Sequence, residues 1–103
     1  MAALENRLNA EVERLAPVFN RVADMIWATP ELCFAEYRSV AAQIAAMQAQ
    51  GFRITRDLAG LETAFAAEWG QEGPVIAFLG EFDALPGLSQ KAGLTRAEPV
   101  EPG

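Results

Sequence analysis

The sequence contains no histidine. Histidine is the commonest metal ligand and the commonest proton-transfer group near neutral pH, so catalysis by this chain's own side chains would have to rest on carboxylates. Cysteine is nearly absent too: Cys33 stands alone, which excludes an internal disulfide and any cysteine-built metal cluster. No Lys/Arg cluster occurs and the formal net charge is −6, so nothing here neutralises a phosphate backbone or grips an anionic membrane, and nucleic acid is not an expected partner. Long apolar runs are missing as well. The longest, Val75 to Leu79, falls far short of the ~20 residues of a membrane span, and the N-terminus lacks the basic-then-apolar pattern of a signal peptide. No membrane partner and a cytoplasmic location are therefore expected.

What is present suits one small folded unit. Hydrophobic residues make up 51% of the 103 positions, too many for a disordered tail, and the length allows a single domain over 1–103. A chain of this size buries only ~60–70% of the surface it exposes when unfolded, which leaves little margin of stability.

Leu4, Leu8, Val12, Leu15, Phe19, Val22 and Ile26 recur every three or four positions, the spacing of one apolar stripe, and predict a helix over about 3–28. Pro17 interrupts its backbone bonding and predicts a kink or restart near Ala16. Thr29-Pro30 disfavours continuation. A second helix is predicted over about 35–50, with Tyr37, Val40, Ala41, Ile44 and Met47 on one face and Gly51 placed for a left-handed C-terminal cap. From Phe52 the period shortens to two. Strands are predicted at about 52–57, 62–69 and 74–81, the last apolar on both faces as in the middle of a larger sheet, followed by a loop over 84–103. The expected class is α/β: two helices, then a three-stranded part of a larger mixed sheet.

The segment Gly80-Glu81-Phe82-Asp83-Ala84-Leu85-Pro86-Gly87 follows that third strand, where α/β proteins gather functional groups on loops projecting from a rigid frame. Glu81 and Asp83, two apart on extended backbone, would point the same way. Such a pair suits metal ligation, support of a ligand or proton transfer. An acid pair of this kind also commonly does no more than hydrate a strand end, with Pro86-Gly87 as an ordinary turn.

The string GPVIAFLGEFDALPGLSQKAG, with WATPEL around Trp27 and Glu31 and AEYRS at the start of the second helix, resembles the aminobenzoyl-glutamate hydrolase branch of the zinc-dependent aminoacylase/carboxypeptidase family. The resemblance spans the chain and is strongest from Gly73 to Gly93. It implies an incomplete zinc-peptidase-like catalytic domain and a parent enzyme that is a metal-dependent amidohydrolase. The parent's substrates would be small molecules, N-acyl amino acids or aminobenzoyl-glutamate-like amides, its metal zinc or manganese, and its assembly a homodimer.

In that family the aspartate matching Asp83 orients a histidine that holds the metals, fixing its tautomer and sharpening its donor nitrogen. Asp83 is accordingly the one expected site residue, acting on an imidazole outside this chain. The Gly-His-Gly-Cys-Gly-His segment and the later Glu-Glu pair of relatives have no counterpart here, so no metal ligand or cofactor-binding residue is expected and the isolated chain is predicted to be inactive.

The other candidates carry weaker expectations. Glu81 matches an acidic position of the branch without a role attached. Trp27 is expected to pack, Glu31 to pack or to cap the next turn, and Cys33 to be a small buried hydrophobe. Ser89 lacks a partner base. Two further readings stand beside the hydrolase: a dipeptidase of the same frame, and a non-catalytic interaction module using its helices or an edge strand.

Overall fold

The structure, a computed structural model, describes residues 1–102. Gly103, the last residue of the predicted loop 84–103, lies outside the described residues. Helix α1 runs over Ala2–Ala28 without interruption. Pro17 cannot donate to the preceding turn, yet it starts no new helix, because the apolar stripe on either side of it continues in register. The stripe is not covered evenly. Leu15, Phe19, Val22 and Ile26 are half-buried, whereas Leu4, Leu8 and Val12 are exposed. The helix stops where Thr29 leaves helical geometry, at φ −131° and ψ 67°, ahead of Pro30.

Helix α2, Tyr37–Ala49, carries the only apolar side chains that are buried among the described residues, Val40 and Ile44. Its C-terminus closes as Gly51 predicts. Gly51 sits at φ +86° and donates to the Gln48 carbonyl at 2.9 Å, while the Phe52 amide donates to the Met47 carbonyl at 3.1 Å. The Gly51 bond pairs the Gln48 carbonyl, and the Met47 carbonyl accepts from both Gln50 and Phe52, so the last turn's carbonyls are closed by the cap.

Strands β1 (Arg53–Arg56) and β2 (Phe65–Glu68) form an antiparallel pair in which Arg53 faces Glu68 and Arg56 faces Phe65. Between them lie a short 3-10 turn at Leu58–Gly60 and the left-handed residues Asp57 and Ala59. Helix α2 packs on α1 on one side and on both strands on the other. The protein is thus α/β, two helices and a two-stranded antiparallel sheet.

The third strand predicted over 74–81 is not formed among the described residues, and the sheet has two strands instead of three. Val75, Phe78 and Leu79 are 95%, 94% and 95% exposed. The physical reason is the lack of neighbours: a strand apolar on both faces requires hydrogen-bonded strands beside it and cover above and below, and one hairpin with two helices provides neither. A radius of gyration of 16.4 Å, against about 13 Å for a compact unit of this length, reflects the same extended segment.

One contact ties that segment to the body of the chain. The Ala84 amide donates to the Glu31 carbonyl at 2.8 Å, and Leu32 and Ala84 form an isolated parallel bridge. Farther on, Glu98 joins Lys91 and holds Arg96 at 2.8 Å, closing the 90–98 loop on itself.

Candidate functional site

The start of α2 presents amides that have no partner within the helix. Here they are met by Glu31, six residues before the helix begins. One carboxylate oxygen of Glu31 accepts from the Arg38 amide at 2.9 Å and the other from the Ser39 amide at 2.8 Å. A negative charge at this end also complements the helix dipole. Partial burial pulls the Glu31 carboxyl upward. The Arg38 and Ser39 amides, the adjacent Ser39 hydroxyl and the Arg38 guanidinium outweigh that and bring it below the usual 4.5, although the hydroxyl itself does not reach hydrogen-bond geometry.

Glu36, buried at the helix boundary, works from the opposite side. Its carboxylate accepts from the Thr63 hydroxyl at 2.6 Å and from the Phe34 amide at 3.0 Å, so it joins α2 to the approach of β2 and to the 32–35 turn. Burial raises its carboxyl and these donors lower it; the donors prevail. In the same turn the Ala35 amide donates to the Leu32 carbonyl at 3.0 Å. Phe34 sits there at φ +67°, a left-handed conformation that favours glycine. Nearby, the Tyr37 hydroxyl donates to Glu62 at 3.2 Å, which raises the phenol's pKa.

Asp83 lies directly before the Ala84 bridge and is exposed, as is Glu81. No paired strand precedes Asp83; its placement comes from the Glu31–Leu32 stretch alongside it. Of the other sequence candidates, Glu31 is the helix cap just described. Trp27 is 57% exposed at the end of α1 and Cys33 is exposed, so neither is the buried packing residue expected of it. Trp27 stands near the end of α1 and Cys33 in the turn between the helices, and this chain leaves both uncovered. Ser89 donates to the Glu101 carbonyl at 2.9 Å and accepts from the Glu101 amide at 3.2 Å, a loop tie with no base beside it.

Sequence reasoning passed over Glu36 and Thr63. An acidic residue immediately before the apolar period of α2 was the available signal for Glu36, whereas Thr63 is joined to it only by the fold. Among the described residues no three His, Cys, Asp or Glu side chains converge as a metal-holding set, so the donors present do not fit a metal. No helix among the described residues is long and apolar enough to cross a membrane.

Comparison with known proteins bears on the segment around Asp83. The chain is 40% identical over 100 residues to one of the subunits of p-aminobenzoyl-glutamate hydrolase from Escherichia coli (strain K12), a match covering 97% of this chain. The aminobenzoyl-glutamate hydrolase resemblance holds along nearly the whole sequence. The chain spans about a fifth of that relative's length, 20%. No family model matches the chain, and no solved structure matches it.

Proposed function

We propose that this chain forms part of the catalytic domain of an amidohydrolase that cleaves the amide bond of aminobenzoyl-glutamate-like or N-acyl amino acid substrates. The observation that carries this reading is the 40% identity, sustained over 97% of the chain, to a p-aminobenzoyl-glutamate hydrolase. In this reading Asp83 is a positioning residue: its carboxylate accepts the N–H of an imidazole belonging to the rest of the enzyme and fixes that ring for metal binding. The metal is zinc or manganese, held by side chains outside this chain, and the enzyme is a cytoplasmic homodimer.

The exposure of Val75, Ile76, Phe78 and Leu79 supports a further part of the reading. The 74–81 segment is the interior strand of a larger mixed sheet, to which the rest of the enzyme supplies the neighbouring strands. Once paired, it sets Asp83 at a strand end facing the reaction centre.

The test is a hybrid in which this chain replaces the matching 100 residues of the E. coli relative. Supplied with zinc or manganese, it should release p-aminobenzoate from p-aminobenzoyl-glutamate, and the 103-residue chain alone should not. A folded hybrid without that activity would overturn the proposal, as would turnover by the purified chain alone.

A further inference from the structure

We infer that Glu31 is a positioning residue for Asp83, coupling the N-terminus of α2 to the Asp83-Ala84 segment through its side chain and its backbone at once. The inference rests on the role proposed for Asp83. Its basis is the double use of one residue. The carboxylate binds the Arg38 and Ser39 amides at 2.9 and 2.8 Å, while the carbonyl of the same residue accepts the Ala84 amide at 2.8 Å.

Leu32 and Ala84 pair as an isolated parallel bridge beside that bond, and beyond this bridge no backbone hydrogen bond among the described residues ties 71–85 to the body of the chain. Where Asp83 sits therefore depends on where residue 31 is held. Residue 31 is in turn fixed by bonds to a helix end. Pro30 restricts the backbone just before it, and the Leu32–Ala35 turn, secured by the Phe34 amide on Glu36, restricts it just after. A side chain serving only as a helix cap needs none of this on its backbone side. Both acceptor functions belong to one residue, so releasing the carboxylate removes two of the bonds that hold the residue whose carbonyl binds Ala84. Charge makes the coupling firm, because an ionised acceptor bonding two amides is stronger and more directional than a neutral one.

The direct test is amide hydrogen exchange in the full chain with Glu31→Gln and Glu31→Ala. The Ala variant should speed exchange at Arg38 and Ser39 and, equally, at Ala84, 53 positions away in sequence, by about tenfold or more. The Gln variant keeps one acceptor oxygen and should show the same pattern at smaller amplitude, which keeps the test decisive if the Ala variant does not fold. Unchanged exchange at Ala84 alongside faster exchange at Arg38 and Ser39 would reduce Glu31 to a helix cap and overturn the inference.

A second readout uses the hybrid. Glu31→Gln should lower kcat while leaving KM for p-aminobenzoyl-glutamate unchanged, since Asp83 acts on the reaction centre and not on substrate binding. A rise in KM at unchanged kcat contradicts this. A hybrid that is inactive even with Glu31 in place fails the proposed function instead, and the exchange experiment still decides the coupling.

Discussion

At the scale of single residues, two glutamates organise the start of α2 and neither behaves as an ordinary surface acid. The Glu36 carboxylate is buried with Thr63 as its closest donor, at 2.6 Å. Thr63→Val removes that donor while keeping the shape, and should lower stability by about 1–3 kcal/mol, read by urea unfolding. Glu31 and Glu36 both have carboxyls held below the reference value of 4.5. The stability they confer is present above pH 4.5 and is lost as pH falls through their lower folded values, because protonation removes the negative charge and leaves one oxygen of the pair as a donor in place of the acceptor its partner needs. Helical circular dichroism followed downwards from neutral pH should therefore hold until below 4.5 and then decline, and Glu36→Gln should flatten that acid response. Sequence alone left Glu31 between packing and capping the next turn. The bond from Thr63 to Glu36 spans 27 positions, and no local pattern announces it.

At the scale of elements, the helices were legible because each carries its own signal. The stripe from Leu4 to Ile26 specifies α1, the Thr29-Pro30 stop ends it, and Gly51 closes α2. Two left-handed positions, Gly51 and Phe34, make opposite predictions. Gly51→Ala forces a side chain into φ +86° with open space around it, so the cost is conformational and should be roughly 1–2 kcal/mol. Phe34→Gly does the reverse. It relieves a left-handed phenylalanine that is 69% exposed and loses little packing, so unfolding experiments should find stability unchanged or raised, by up to about 1 kcal/mol. The predicted third strand illustrates what a local pattern cannot say. Its apolar residues state that the segment demands cover, but cover is a property of neighbouring elements, and this chain does not provide them. Phe78→Ser should accordingly change the stability of the chain by no more than about 0.5 kcal/mol. Ile44→Ala, at 1% exposure, should cost about 2–5 kcal/mol.

At the scale of the whole molecule, a small hydrophobic centre on α2 packs against α1 and the two strands, while half of α1 and an apolar segment extend well beyond it. Residues 75–79 and the first half of α1 display apolar surface, while the acidic segment near Asp83 is held by the Glu31–Leu32 stretch. Both features fit a unit that completes its packing within a larger hydrolase, as proposed above. Composition, with no histidine, restricted any catalysis by this chain's own side chains to carboxylates; the identity of a candidate aspartate came from a motif, and its physical setting only from the bridge to Leu32. The measurement that bears most directly on this account is the turnover of p-aminobenzoyl-glutamate by the hybrid with Asp83 and with Asp83→Asn. The account predicts metal-dependent release of p-aminobenzoate that the substitution lowers by about 10–100-fold, with the fold intact. Equal turnover with and without the Asp83 carboxylate would contradict it.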